Sequence, residues 1–153
     1  MQAEELIEAL ELAPQPEGGW YRETWRSEAA DGGRAAASAI YYVIQPGQAS
    51  RWNRHDADEI WLWHGGDPVD VSIAAGDEGP QRTVRLGGRA NQGEQPQLVV
   101  PRGWWQSAQP AAGEAGYSFL SCIVAPAFDF EAFVIAEPGW EPGQASAQKH
   151  GGR

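Results

Sequence analysis

Two short stretches hold the side chains with chemistry to offer. The first, Gly47–Gly66, carries Asn53, His55, Glu59, Trp61, Trp63 and His64. The second, Pro101–Gln106, carries Trp105 and Gln106. Residues two apart on a strand point to the same face, so Asn53 and His55 share one side, and Glu59, Trp61 and Trp63 share one. If those faces line one pocket, an imidazole and a carboxylate meet there. The carboxylate would orient the imidazole and raise its pKa. Such a pair moves protons beside a carbonyl, as in sugar isomerases and epimerases. His55 and Glu59 are therefore the catalytic candidates. Asn53, Trp61, Trp63, Trp105 and Gln106 are the ligand-binding candidates, because indoles stack on sugar or heterocycle rings and amides hydrogen-bond to them. The blander alternative is a His–Glu pair that satisfies two buried polar groups, among indoles that fill a core.

A metal is the second chemistry to weigh. Imidazole suits iron, nickel, manganese or zinc, but a neutral amide is a weak ligand for any of them. One imidazole and one carboxylate flanked by two amides lead us to expect no resident cofactor. A divalent metal, were one held, would sit on His55, Glu59, Gln106 and Asn53. His64 follows Trp63 and so faces away from Glu59. Cys122 lies mid-strand among apolar residues, as a buried inert thiol does. No Gly-rich phosphate loop, nucleophile elbow or CxxC pair occurs.

The elements that must position these residues read as strands. Ser38–Ile44 is rich in β-branched and aromatic residues. Further strands are expected at Trp20–Trp25, Ile60–Trp63, Val69–Ile73, Thr83–Leu86, Gln97–Val100, Trp104–Gln109, Tyr117–Val124 and Phe133–Ile135. Their alternation and the Gly/Pro turns between them predict an all-β sandwich or barrel. Leu6, Ile7 and Leu10 form a helical stripe over Ala3–Leu12, which Pro14 and Pro16 end. One domain is expected over 1–136. The Pro-, Gly- and Gln-rich tail, 137–153, is expected to lack structure.

Composition narrows the partners. A net charge of −10 repels phosphate backbones and anionic membranes, so neither nucleic acid nor a membrane is an expected partner. The acidic N-terminus lacks a signal peptide's basic region, and no apolar run reaches the ~18 residues of a membrane span. A single cysteine suits a reducing compartment, so the expectation is a cytoplasmic protein.

The spacing Gly47-x5-Asn53-x-His55-x3-Glu59-x6-Gly66 resembles the first motif of the cupins, with Asn53 where they usually carry a His. Pro101-x-Gly103-x-x-Gln106 resembles their second motif, with Gln106 in the His place; that motif's leading glycine is displaced, Gly93 lying two residues early. Pro16–Thr24, Asp58–Trp61, Gly65–Pro68, Gly93–Gln97, Val100–Gln106 and Val124–Phe130 together resemble a narrower family, the small cupins of the Cupin_5 or DUF985 family. That resemblance runs from about Leu6 to Phe133. It implies a cupin double-stranded β-helix, a jelly-roll-like barrel with a short N-terminal helix, and a homodimer. It also implies a His at the place of Asn53 and an apolar residue at that of His55; here the imidazole is shifted by two. Gly18–Thr24 then reads either as a strand pairing across a dimer or as a pocket lip on which Arg22 meets an anion. The resulting expectation is a cupin that binds a sugar- or carbonyl-type small molecule, with metal-independent isomerisation or epimerisation as the reaction considered. The alternatives are a non-catalytic binding or sensing protein and a metal-dependent dioxygenase-type enzyme.

Overall fold

A computed structural model describes residues 1–48 and 50–144. A short helix, α1 (Ala3–Ala9), precedes the strands β1 (Ala13–Pro14), β2 (Trp20–Arg26), β3 (Ser38–Ile44), β4 (Asn53–Arg54), β5 (Asp58–Gly66) and β6 (Val69–Ala74). Then follow β7 (Arg82–Leu86), β8 (Gln97–Val100), β9 (Trp105–Pro110), β10 (Ser118–Ala125) and β11 (Val134–Ile135). The strands form two antiparallel sheets, β1-β2-β3-β10-β5-β8 and β11-β4-β9-β6-β7. The all-β architecture with one short N-terminal helix is the expected one.

Alternation builds the interior. Along β10 every second residue from Ser118 to Val124 is buried, and Val69, Val71 and Ile73 of β6 are buried opposite them. Leu120, Cys122, Val69, Val71 and Ile73 meet Tyr42, Ile44, Trp61, Leu98 and Val100 in one apolar cluster between the sheets. Burying an aliphatic side chain of this size contributes about 1.5–3 kcal/mol, so the cluster dominates the stability of the fold. Leu6 and Leu12 pack α1 and the chain after it onto Val43 outside that cluster.

The β5–β6 turn depends on one glycine. Gly66 has φ +80°, and a Cβ placed on it would lie 2.3 Å from the Tyr117 carbonyl oxygen. The Asp67 N–H donates to that same carbonyl at 2.7 Å, so the close approach is part of the turn.

The chain after residue 136 differs from expectation. Glu137–Gln144, expected to lack structure, packs on the outside of the barrel. Trp140 is only 6 % exposed, and its ring lies 4.7 Å from that of Trp105. The Gly143 N–H donates to the Asp77 carbonyl at 2.8 Å. The apolar area of two indoles outweighs the composition that suggested a loose tail. The remainder of the expected tail, 145–153, lies outside the described residues. Replacing a buried Trp by Ala costs about 3–5 kcal/mol. Trp140→Ala is therefore expected to lower stability by about 3 kcal/mol in urea denaturation; an unchanged midpoint would show the contact to be dispensable.

Candidate functional site

A pocket of about 250 Å³ opens between the two sheets. Its floor is a closed hydrogen-bond network. The Trp61 indole N–H donates to Gln106 Oε1 at 2.9 Å, which assigns the amide's orientation. Gln106 Nε2 then donates to Asn53 Oδ1 at 3.1 Å and to Glu59 Oε1 at 2.7 Å. Asn53 Nδ2 in turn donates to the Arg51 carbonyl at 2.7 Å. Asn53, Glu59, Trp61 and Gln106 thus meet as expected, though largely to satisfy one another.

Glu59 reaches the pocket from β5. Burial pushes its carboxyl up from the usual range, while the bonds from Gln106 and the Cys122 thiol pull the other way. Burial pushes the Cys122 thiol well above its usual value, with the neighbouring Glu59 adding to the effect. Cys122 therefore stays protonated and serves as a donor, the inert role expected of it.

His55 lies beyond the end of β4, where the chain bends toward the segment after β10. Its ring is 6 % exposed and stacks on Phe128 at 5.0 Å, with Phe133 at 6.3 Å. Nε2 accepts the Asp129 N–H at 3.1 Å and faces Arg34 Nη2 at 3.4 Å. With the Asp129 N–H donating to it, Nε2 is an acceptor and the ring proton sits on Nδ1; the Asp129 carbonyl oxygen, 3.2 Å from Nε2, fits the opposite tautomer. Burial pushes the imidazole pKa down, against the pull of Asp56, so the ring is held neutral. Nδ1 is buried and has no partner. The hydrogen bonds of His55 go to Asp129 and Arg34, and those of Glu59 to Gln106 and Cys122. The two residues line one pocket without forming a hydrogen-bonded dyad.

Two expected ligand platforms lie elsewhere. Trp105 neighbours Gln106 on β9, so when Gln106 faces the pocket the Trp105 ring faces outward, onto Trp140 and under the Arg54 guanidinium at 4.7 Å. Trp63 shares the face of Trp61 but sits further along the barrel. Its N–H donates to the Asp67 carbonyl at 3.1 Å, and its ring covers Gly88. Of the three indoles, only Trp61 lines the pocket. On β2 the pocket side is Tyr21 and Glu23, whereas Arg22 lies over the Tyr41 ring outside. Tyr42 faces inward, and Ser121 faces outward to His64.

Glu17 was not among the candidates, yet it is a strongly perturbed carboxylate of the pocket. It sits between β1 and β2, lines the pocket, and leaves Oε1 buried without a partner. Burial raises its pKa from 4.5 to about 7, and Glu59 pushes the same way. Local chain geometry sets it there. Gly18 and Gly19 have φ +118° and +84°, and a Cβ on Gly19 would meet the Tyr42 ring at 2.8 Å. The Tyr42 hydroxyl donates to the Gly18 carbonyl at 2.6 Å, and the Arg51 N–H to the Glu17 carbonyl at 2.9 Å. A Glu set between Pro16 and two glycines was the available signal.

The four expected metal positions do not fit a transition metal. Gln106 turns its N–H₂ group toward Asn53 and Glu59, so it offers hydrogens where a metal would need a lone pair. His55 Nε2 is taken by Asp129. Among the described residues no three His, Cys, Asp or Glu side chains group as metal ligands would.

Comparison with known proteins bears on the family and the fold. The model of a family described as "Cupin superfamily (DUF985)" matches residues 4–136. A hypothetical protein from Leishmania major is 35 % identical, with TM-score 0.81, over 89 % of this chain and 88 % of its own. A protein of Shewanella oneidensis is 36 % identical, with TM-score 0.80, over 88 % of this chain and 84 % of its own. Oxalate decarboxylase from Bacillus subtilis, 18 % identical with TM-score 0.58, shares the fold over 80 % of this chain and 29 % of its own. No curated protein matches the chain. No helix among the described residues is long and apolar enough to cross a membrane.

The raised Glu17 carboxyl links stability to pH. With a folded pKa of about 7 against an ordinary 4.5, its contribution is complete below 4.5 and is lost as pH rises through 7. Glu17→Gln, neutral throughout, should match the wild type near pH 5 and exceed it at pH 8.5 by about 2–3 kcal/mol. Urea denaturation at both pH values checks this; a difference that does not vary with pH would contradict it.

Proposed function

The chain belongs to the DUF985 family of the cupin superfamily, and from that premise we propose that its pocket binds a small sugar- or carbonyl-type metabolite and transfers protons on it without a metal, as an isomerase or epimerase does. The observation that carries this reading is one pocket whose lining includes Glu17, His55 and Glu59, with Glu17 Oε1 and His55 Nδ1 left without partners. Buried polar atoms are nearly always paired, so a buried atom without a protein partner in a pocket lining is a place for a ligand or water to bond. Perturbed carboxylates in a cleft are the usual mark of a reaction site. The pocket volume, about 250 Å³, sits near the low end of ligand sites and suits a small metabolite.

Phe128, Phe130 and Phe133 rim the opening and would limit water around a bound ligand. Trp61 offers a flat wall, and its N–H holds Gln106 in place. Trp25, 52 % exposed at the outer end of β2, supports pairing of that strand with a second copy of the chain. A non-catalytic binding protein is the second reading, favoured by the closed floor network, which makes a rigid receptor wall.

Purified protein, stripped with chelator, should be incubated with a panel of aldoses, ketoses and their epimers and followed by NMR. The expected result is turnover that survives the chelator and falls about 100-fold or more in His55→Ala, the usual size of a lost acid–base contribution. Unchanged turnover in that variant, or activity that requires an added divalent metal, would contradict the proposal.

A further inference from the structure

Three buried polar side-chain atoms among the described residues have no partner: Glu17 Oε1, His55 Nδ1 and Arg22 Nε. Arg22 lies on the outer side of β2, over Tyr41. The other two are buried atoms of residues that line the pocket. All the other polar groups at its floor are engaged. Gln106, Asn53 and Trp61 bond to one another, and the Tyr42 hydroxyl donates to Gly18. Among the described residues the one guanidinium in the lining, Arg26, is held by both oxygens of Glu23 at 2.7 and 2.9 Å.

We propose that Glu17 is the residue that carries the substrate's proton, that His55 Nδ1–H holds the carbonyl oxygen, and that the pocket therefore takes uncharged hydroxycarbonyl compounds and rejects their phosphorylated or carboxylated counterparts. This rests on the proton-transfer reading and assigns its groups. The two open atoms are chemically complementary: a carboxylate oxygen accepts a proton and an imidazole N–H donates a hydrogen bond. A ligand satisfying both presents a carbonyl oxygen to one and an acidic C–H to the other. In the step, Glu17 takes the hydrogen on the carbon beside the carbonyl. The C–H electron pair becomes the C=C bond, and the carbonyl π pair moves onto the oxygen held by His55. Return of the proton to either face of that carbon regenerates the carbonyl compound, with inversion where the face differs, and no further reactant is needed. A neutral imidazole suits this donor role, since it polarises the oxygen without giving up its proton outright. The raised Glu17 carboxyl suits the base, which works best with a pKa near the working pH.

Charge decides the substrate class. Glu17 and Glu59 both line the pocket, and its only guanidinium among the described residues is already paired. A phosphate or carboxylate entering there would meet like charge at low dielectric with no free cation to offset it. An uncharged ligand meets no such cost.

The test is hydrogen–deuterium exchange followed by ¹H NMR in D₂O. The probes are dihydroxyacetone, its phosphate and hydroxypyruvate, each with hydrogens beside a carbonyl. Wild-type protein is expected to speed loss of the dihydroxyacetone C–H signal at least tenfold more than that of either charged probe. Glu17→Gln should lose the exchange about 100-fold while still binding dihydroxyacetone by saturation-transfer NMR and keeping the wild-type near-ultraviolet circular dichroism. His55→Asn, which restores a side-chain N–H donor, should lose less than His55→Ala. Exchange that persists in Glu17→Gln would overturn the assignment of the base and leave metal-free proton transfer standing. Faster exchange into a charged probe would overturn the substrate class. No exchange into any of the three would overturn this inference and the proton-transfer reading together.

Discussion

The Gln106 side chain is the constraint on which the rest of the site depends. It stands on β9 in one sheet and bonds to Trp61 and Glu59 of β5 in the other, as well as to Asn53 of β4. A single amide therefore ties the two sheets together where the barrel interior becomes polar. Its orientation follows from the indole N–H, which needs an acceptor when buried. Once Oε1 is taken, the two N–H groups must find acceptors, and Asn53 and Glu59 supply them. The floor of the pocket is thus saturated by the protein itself. What the pocket leaves open lies around that floor, at Glu17 and His55.

The same constraint explains the balance of charge. Glu59 keeps a hydrogen-bonded place deep in the barrel, and its neighbour Cys122 remains a thiol. Glu17 lines the same pocket, where desolvation and the nearby Glu59 raise its pKa against the bonds from its own N–H and from Gln15. His55 is screened from this pair by its own bonds to Asp129 and Arg34 and by the rings of Phe128 and Phe133. The pocket thereby holds a protonatable carboxyl and a neutral imidazole donor, rather than one coupled imidazole–carboxylate pair.

Much of this was legible in the residue pattern. Ser38–Ile44 and Gln97–Val100 form strands with the expected bounds, because β-branched and aromatic runs between turn residues leave few alternatives. Alternation also placed Trp61 beside Glu59 and turned His64 away from it. It could not say how far along the barrel the pocket ends, which is why Trp63 lies beyond it. Nor could it show that Trp105 and Gln106, adjacent on one strand, serve opposite sides of a wall. Glu17 was hidden for another reason. Its place is set by a Gly18–Gly19 turn folded against Tyr42, more than twenty residues away, and no local periodicity reports such a contact. Trp140 was hidden by composition, since one well-packed indole outweighs a run of Pro, Gly and Gln.

Glu17 is a buried carboxyl in the pocket lining whose Oε1 has no partner, and the proposed chemistry requires it to be available for proton transfer. The most direct measurement is a ¹³C NMR titration of protein labelled at the glutamate side-chain carboxyls, compared with Glu17→Gln. The account predicts one resonance that titrates near pH 7, is absent from the variant, and shifts when a ligand fills the pocket. If the resonance lost in Glu17→Gln instead titrates in the ordinary range near 4.5, Glu17 is a solvated surface carboxylate and the account of the site fails.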